Sequence, residues 1–174
     1  MSRIDYDLNK IKGIAFDMDG VLSASTVAVR EDGTLQRQSN VKDGFAIQYA
    51  QKCGLHLAVI SGARDESMLP AYRSLGLEDI YFRSIDKVAV LKAWMEKHGL
   101  EPDNVIFVGD DIPDIPAMKE AGLAAVPRDA SDEAKLVAGY ISPCPGGHGV
   151  ARDIISQILS SQDKWMTSDD IFNW

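Results

Sequence analysis

Short apolar runs, each ending in a cluster of polar residues, recur along the chain and constrain its fold more than any other feature. The three clearest occupy residues 11–16, 55–60 and 104–108. Near-continuous apolar runs of this length are typical of strands that are buried on both faces, as in a parallel sheet. Residues 79–82 and 123–126 form two weaker runs, which we predict as further strands.

Helical patterns fill the intervals between these strands, and each ends close to a glycine, the residue that commonly follows the last turn of a helix. The predicted helices cover residues 44–52, 66–75, 87–98 and 114–121. Residues 137–141 are expected to form a last short strand or turn, and residues 150–161 a last helix. The alternation predicts an α/β fold, a Rossmann-like doubly wound parallel sheet in a single domain over residues 1–174.

One segment interrupts the alternation directly after the first strand. Residues 26–30 and 34–38 have the pattern of two short strands on either side of the pair Asp32-Gly33. This pattern predicts a small β-hairpin at about residues 26–38. The C-terminal segment, about residues 164–174, contains two tryptophans and a phenylalanine and has no obvious partner helix.

The charge of the chain excludes several classes of partner. With 18 basic and 26 acidic side chains the net charge is −8 and the pI is about 4.8, and no Lys/Arg-rich run is present. We therefore expect no binding to nucleic acid or to an anionic membrane surface. No apolar stretch approaches the roughly 20 residues of a membrane span, and the first residues are acidic where a secretory signal needs bases.

Two cysteines, Cys53 and Cys144, fit no zinc-site spacing and are too few for a disulfide framework. This cysteine usage is typical of a reducing compartment. We accordingly expect a cytoplasmic protein.

Polar side chains follow the predicted strands at the sheet edge where α/β proteins bind ligands. The first strand is followed by Asp17 and Asp19, the second by Ser61, and Lys87 opens the helix after residues 79–82. The strand at 104–108 is followed by three more aspartates, Asp110, Asp111 and Asp114. We expect these carboxylates, the hydroxyl and the ammonium to converge on one site.

Such a set of groups predicts phosphoryl transfer. Clustered carboxylates are driven towards their neutral form unless a cation lies among them, and aspartate oxygens suit Mg²⁺, which shares its site with phosphate. One aspartate can attack phosphorus to form an aspartyl-phosphate, while another protonates the leaving alcohol and later deprotonates water. A serine hydroxyl and a lysine ammonium can stabilise the phosphoryl oxygens.

The segment Phe16-Asp17-Met18-Asp19-Gly20-Val21-Leu22 resembles the DxDGV motif of the haloacid dehalogenase (HAD) phosphatase superfamily. Ser61, Lys87 and residues 109–114 match its second, third and fourth motifs, in that order. The resemblance implies that Asp17 is the nucleophile, and that Asp19 is the general acid/base and also offers its backbone carbonyl to Mg²⁺.

The same resemblance assigns the remaining groups of the site. Asp17, Asp19 and Asp110 would hold the metal, and Asp111 and Asp114 would either bind it or orient its ligands. Ser61, Gly62 and Lys87 would hold the transferring phosphoryl group.

Neither interval between the first three motifs has room for the cap domain that closes most HAD active sites. Residues 40–44, 145–149 and 151–153 are similar to the capless branch, whose type family is the 3-deoxy-D-manno-octulosonate (KDO) 8-phosphate phosphatases. The resemblance runs from about residue 11 to residue 165. It implies a Mg²⁺-dependent phosphatase for a small sugar-acid phosphate, KDO 8-phosphate, in lipopolysaccharide biosynthesis, and a homotetramer in which hairpins associate and neighbouring subunits cover the sites.

Two arginines are candidates for binding the carboxylate of the sugar acid. Arg64 matches the arginine that this branch carries after the second motif, and Arg152 lies beside the glycine-rich turn at residues 145–149. A guanidinium suits bidentate binding of a carboxylate. The small side chain of Ala63 favours the eight-carbon acid, since relatives that act on nine-carbon acids tend to carry a larger polar residue there.

Several alternatives remain open at this stage. Within the enzymes they are a phosphatase for a nine-carbon acid 9-phosphate (KDN 9-phosphate) and a broad sugar-phosphate phosphatase. Outside them are a phospho-accepting receiver domain and a non-catalytic oligomerisation module. A receiver carries its metal-binding acidic pair on the first strand and its phospho-accepting aspartate on a later one, the reverse of the order found here.

Overall fold

The computed structural model describes residues 3–167 and contains a six-stranded parallel sheet and a separate two-stranded hairpin. The strands are β1 (Gly13–Phe16), β2 (Ala28–Val29), β3 (Leu35–Gln36), β4 (His56–Ile60), β5 (Asp79–Tyr81), β6 (Val105–Val108), β7 (Leu123–Val126) and β8 (Tyr140–Ile141). The order in the large sheet is β5–β4–β1–β6–β7–β8, and all neighbours in it run parallel. The predicted doubly wound α/β sheet is confirmed.

Helices cover both faces of the sheet. They are α1 (Val41–Lys52), α2 (Leu69–Ser74), α3 (Lys87–His98), α4 (Ile115–Glu120), α5 (Asp132–Val137) and α6 (Val150–Ser161). Buried side chains of α1, α2 and α6 form one apolar core against the sheet, and those of α3, α4 and α5 form another on the opposite face. Among the helices of residues 3–167, none combines the length and the apolar character needed to cross a membrane.

The central strand β1 shows why the sheet is buried on both sides. It pairs with β4 and β6, and all of its residues are buried. Ile14 and Phe16 belong to the core beneath α1 and α6, whereas Ala15 belongs to the core beneath α3 and α4. Successive side chains of a strand point to opposite faces, so a strand covered on both faces needs apolar residues throughout.

Some helix limits differ from the predicted ones for local reasons. Helix α1 begins at Val41 rather than at residue 44 because the Asn40 side chain accepts hydrogen bonds from the backbone of residues 42 and 43. Helix α2 begins at Leu69 rather than at residue 66, since the Asp65 carboxylate accepts a hydrogen bond of 2.6 Å from Ser67 N and forms a turn there.

The predicted hairpin is present and antiparallel, but its paired part is shorter than predicted. Ala28 pairs with Gln36 and Val29 with Leu35. Both residues of β2 are exposed. Between Asp17 and Ser61 the described chain holds this hairpin, α1 and β4, and the prediction that no cap domain is present is confirmed.

The C-terminal half contains one helix that the sequence analysis did not predict. Residues 137–141 were expected to form a last short strand or turn, and β8 occupies Tyr140–Ile141, but α5 precedes it. Ser131 accepts a hydrogen bond from Ala134 N, and two acidic residues follow in the first turn. In the predicted tail, Trp165 packs edge-on against Phe45 and Tyr49. Residues 168–174 lie outside the described residues.

Candidate active site

The carboxyl ends of β1, β4 and β6 and the start of α3 meet at one cavity of about 460 Å³. Every residue that the sequence analysis placed in the catalytic and metal-binding set lines it. These residues are Asp17, Asp19, Ser61, Gly62, Lys87, Asp110, Asp111 and Asp114. The sequence order separates these groups widely, and the parallel sheet brings them together.

Lys87 lies between two buried carboxylates. Its Nζ is 2.9 Å from Asp17 Oδ1 and 2.6 Å from Asp114 Oδ1. Burial and the charge of Asp114 raise the pKa of Asp17, and the ammonium of Lys87 opposes this rise. Burial alone would lower the pKa of Lys87, but the two carboxylates outweigh it and the pKa is raised. Lys87 therefore stays charged and holds one oxygen of the predicted nucleophile.

Asp110 approaches the loop that carries the predicted nucleophile, and a glycine makes this approach possible. Gly20 has φ +86°, and a Cβ at that position would lie 1.9 Å from Asp110 Oδ2. Burial raises the pKa of Asp110 to about 7, with further contributions from the charges of Asp17 and Asp114. Without a cation, this carboxyl group is partly neutral at pH 7.

Asp114 organises the loop after β6. Its Oδ2 accepts a hydrogen bond of 2.9 Å from Asp110 N and one of 3.4 Å from Asp111 N, while its Oδ1 accepts the Lys87 ammonium. Its side chain is 2% exposed. Asp114 thus orients its neighbours, whereas the Asp111 side chain is exposed at the cavity.

Three of these carboxylates are close enough to share a metal ion. Asp17, Asp110 and Asp114 each offer an oxygen, and these atoms all lie within 4.8 Å of one another. Lys87 is the ammonium in contact with this group, so a positive charge is still lacking. Oxygen ligands with an excess of negative charge suit a hard divalent cation, and these residues fit one.

The carboxylate of Asp19 belongs to a different set of contacts. It lies at the cavity but is bound by Arg37, whose Nε is 2.7 Å from Oδ1 and whose Nη2 is 2.9 Å from Oδ2. The sequence analysis missed Arg37. A lone arginine at the end of a predicted hairpin strand carries no signal that would distinguish it from a solvated one.

The loop after β4 supplies the predicted phosphate-binding groups. Ser61 is buried, and its Oγ accepts a hydrogen bond of 3.2 Å from Ala63 N. Gly62 and Ala63 also line the cavity. Arg64 follows them and is exposed, so it lies next to the cavity rather than among the residues that line it.

Arg152 lies among aromatic rings. Its guanidinium carbon is 5.1 Å from the centre of the Phe45 ring and 4.6 Å from that of the Trp165 ring. Its backbone N donates a hydrogen bond of 2.7 Å to Asp43. Arg152 is not among the residues that line the cavity, and its contact with substrate stays a prediction.

The glycine-rich turn at residues 145–149 packs against the loop after β1. Gly147 N donates a hydrogen bond of 2.8 Å to Val21 O, and a Cβ on Gly146 would lie 2.0 Å from Gly20 O. The turn is held in place by Asp43, which accepts a hydrogen bond of 3.1 Å from Gly149 N. Backbone packing at this distance requires glycine at residue 146.

The chain is similar to known proteins over most of its length. The profile of the haloacid dehalogenase-like hydrolases matches residues 23–122. The chain is 30% identical over 154 residues to the 3-deoxy-D-manno-octulosonate 8-phosphate phosphatase KdsC of Escherichia coli K12, covering 88% of this chain and 82% of that protein.

Two solved structures are similar over most of the chain. The phosphatase of that name from Moraxella catarrhalis, solved with a magnesium ion, a phosphate ion and KDO, has 30% identity and a TM-score of 0.86 and covers 90% of each chain. The one from Yersinia pestis has 27% identity and a TM-score of 0.89 over 92% of this chain and 87% of its own. The chain therefore belongs to the haloacid dehalogenase-like hydrolases and is a phosphatase of the capless 3-deoxy-D-manno-octulosonate 8-phosphate phosphatase family.

Proposed function

We propose that this phosphatase is Mg²⁺-dependent and hydrolyses KDO 8-phosphate to KDO and phosphate, as a step of lipopolysaccharide biosynthesis. One observation carries the proposal. The chain groups Asp17, Lys87 and Asp110 at one cavity and is similar over most of its length to a phosphatase that was solved with magnesium, phosphate and KDO. The two free cysteines, Cys53 and Cys144, favour a cytoplasmic location for this reaction.

The proposed reaction uses two aspartates in turn. A carboxylate oxygen of Asp17 attacks phosphorus, the bond to the ester oxygen breaks, and Asp19 gives that oxygen a proton. Water then attacks the phosphorus of the aspartyl-phosphate and gives a proton to Asp19. The bond from phosphorus to the Asp17 oxygen breaks, which releases phosphate and restores the Asp17 carboxylate. Asp17, Asp110 and the backbone carbonyl of Asp19 would hold Mg²⁺, which would supply positive charge beside the Asp17 carboxylate and the phosphoryl oxygens.

Ser61 and Lys87 complete the proposed phosphate site. Both are buried at the cavity, so their hydroxyl and ammonium are held in place before substrate binds. Fixed donors in a site with little water stabilise developing charge more strongly than mobile ones. The backbone N–H of Gly62 is a further candidate donor from the same loop.

The first experiment compares kcat/KM for phosphate release from KDO 8-phosphate, the nine-carbon KDN 9-phosphate and ordinary sugar phosphates, all with Mg²⁺. We expect KDO 8-phosphate to be preferred by at least about tenfold, or about 1.4 kcal/mol in transition-state binding. A preference for the nine-carbon acid would leave the chemistry intact and move the enzyme to another pathway. No turnover of any substrate would favour phospho-acceptance or scaffolding instead.

Asp17→Asn tests the nucleophile. We expect turnover to be abolished while the circular dichroism spectrum stays that of the wild type, because the amide is nearly the same size but cannot attack phosphorus. Appreciable residual turnover would contradict the assignment of Asp17.

Arg64→Ala tests the proposed carboxylate contact. We expect KM to rise far more for the sugar-acid phosphate than for p-nitrophenyl phosphate, which has no carboxylate. An equal effect on both substrates would remove Arg64 from recognition of the sugar acid.

We further propose that the chain forms a homotetramer through its hairpins. Within residues 3–167, the two strands of the hairpin pair with each other and with no further strand, and Val29 is 70% exposed. Exposed strand edges with apolar side chains are prone to pair with another chain.

Light scattering after gel filtration tests this assembly. We expect a tetramer that Val29→Glu dissociates, whereas Leu136→Glu, on the exposed side of α5, leaves it intact. A monomeric wild type, or the same behaviour in both variants, would contradict association through the hairpin.

A further inference from the structure

One side chain of the hairpin region, Arg37, binds a carboxylate that lines the active-site cavity. We propose that Arg37 is a positioning residue for Asp19, so that a residue at the end of the hairpin fixes the group that protonates the leaving alcohol. The inference rests on the proposed role of Asp19 as general acid/base. The hairpin, which lies outside the catalytic motifs, would thereby contribute to protonation of the leaving alcohol.

The contact has the geometry of a fork on a carboxylate. Arg37 Nε donates to Asp19 Oδ1 at 2.7 Å and Nη2 donates to Oδ2 at 2.9 Å. Two parallel, charge-assisted hydrogen bonds fix both the direction and the plane of the carboxylate. Ser23 Oγ adds a third hydrogen bond, 2.9 Å long, to Oδ1.

The side chain of Arg37 is buried, unlike most of those in the hairpin. Ala28, Val29 and Gln36 are exposed, whereas the side chain of Arg37 is 2% exposed. A buried guanidinium must be paired to offset the loss of hydration. The guanidinium of Arg37 is therefore buried although neighbouring side chains of the hairpin are exposed. The carboxylate that it binds lies at the active-site cavity.

The guanidinium also touches a second loop of the site. Its Nη1 lies 3.5 Å from the Asp65 carboxylate in the loop after β4, and this nitrogen is buried and makes no hydrogen bond with the described residues. Arg37 thus bridges the loop that carries the acid/base and the loop that carries the phosphate-binding Ser61. Contacts with both loops restrain the guanidinium, and so restrain its two hydrogen bonds to Asp19.

This arrangement restricts which oxygen of Asp19 can contact substrate. A carboxylate has about four lone-pair positions on its two oxygens. Arg37 and Ser23 together occupy both positions of Oδ1, while Arg37 occupies one position of Oδ2. As far as the described residues go, a position therefore stays open on Oδ2. We assign the contact with the leaving oxygen to Oδ2.

Leaving groups that differ in their need for a proton test this role. KDO 8-phosphate is an alkyl ester, whose alkoxide departs poorly without a proton, and p-nitrophenyl phosphate is an aryl ester, whose phenolate departs without one. Single-turnover measurements with each isolate formation of the aspartyl-phosphate from its hydrolysis. The variants are Arg37→Met, Arg37→Lys, Asp19→Asn and the double variant Asp19→Asn/Arg37→Met.

For Arg37→Met we expect the first turnover of the alkyl ester to slow on the order of 100-fold, with the nitrophenolate burst changing by less than about threefold. Arg37→Lys keeps the charge without the planar fork and should recover only part of the loss. The double variant should be no slower than Asp19→Asn on the alkyl ester, because both changes disable one step.

Arg30→Met is the matched control. Arg30 is an exposed arginine of the same hairpin whose Nε donates a hydrogen bond of 3.4 Å to Gln36 Oε1, and we expect wild-type rates for both esters. Thermal unfolding of each variant checks that the hairpin change leaves the fold intact, and Arg37→Lys carries the test if Arg37→Met unfolds.

Three results would overturn the assignment of Arg37. They are an equal loss on both esters, losses that multiply in the double variant, and a faster alkyl ester turnover in Arg37→Met, which would mean that the fork restrains Asp19 away from substrate. Failure of the proposed function looks different. In that case the wild type leaves KDO 8-phosphate intact, or Asp19→Asn itself slows both esters alike.

Discussion

Replacing Lys87 by Met removes the one ammonium that two buried carboxylates share. Its Nζ lies 2.9 Å from Asp17 and 2.6 Å from Asp114, whose side chains are 11% and 2% exposed. Removing one partner of a buried ion pair typically costs about 3–5 kcal/mol, because the other charge stays buried without compensation. In a chain of 174 residues, this corresponds to a fall in Tm of roughly 10 °C.

The loss of stability caused by Lys87→Met depends on pH, because the carboxylates beside Lys87 can take up protons. Burial raises the pKa of Asp17 above the ordinary value of 3.8, and loss of Lys87 raises it further. At pH 5 a proton on Asp17 relieves the repulsion at little cost. At pH 8 the variant must either keep both carboxylates charged without compensation or take up a proton from a solution that holds few. Lys87→Met should therefore destabilise the protein more at pH 8 than at pH 5.

Urea unfolding followed by circular dichroism, with metal removed by EDTA, measures this cost. Lys92→Met is the matched control, since Lys92 pairs with Glu120 at 2.9 Å but the two side chains are 55% and 40% exposed. Exposed pairs contribute less than about 1 kcal/mol. A cost for Lys87→Met no larger than that of Lys92→Met, or one that is equal at both pH values, would refute the account of the charge cluster.

Three further predictions concern Asp110, Gly146 and Arg152. In the metal-free wild type, burial raises the pKa of Asp110 from 3.8 to about 7, so the native state binds more protons than the unfolded state in that window. Unfolding free energy measured in urea should fall as pH rises from about 4 to about 7, and saturating Mg²⁺ should abolish the fall. Gly146→Ala places a Cβ 2.0 Å from Gly20 O and should cost more than about 1 kcal/mol and lower kcat. Gly44→Ala, with ordinary contacts from 3.4 Å, should lower neither stability nor kcat. Arg152→Ala removes two cation–π contacts and should cost about 1–2 kcal/mol in urea unfolding at unchanged kcat; a tenfold rise in KM without loss of stability would instead favour contact with substrate.

The sheet and the catalytic cluster were predictable because both depend on local patterns. Buried parallel strands have a continuous apolar run, and β1, β4 and β6 have little else within their bounds. Because the strands run parallel, their carboxyl ends lie at one edge of the sheet. Asp17, Ser61 and Asp110 follow these ends and therefore lie there too. The helix α5 was missed, although Ser131 and the acids after it form a recognisable helix start.

Contacts between distant parts of the chain were not predictable. Nothing near Arg37 in the sequence indicates that its guanidinium is buried, because its partner Asp19 precedes the hairpin and Asp65 lies beyond α1. The surroundings of Arg152 likewise depend on Phe45 and Trp165, which come from α1 and from beyond α6. Such side-chain pairs depend on how the helices, strands and loops pack together. The sequence pattern predicts these elements but not the contacts between them.

The glycine-rich turn that braces the nucleophile loop has a consequence for biosynthesis. A ribosome makes Asp17 well before residues 145–149, so a nascent chain carries its reactive aspartate before the turn that packs against the nucleophile loop exists. Activity should consequently appear only after this turn has been made. A message truncated ahead of this turn would encode all four catalytic motifs and still yield an inert product.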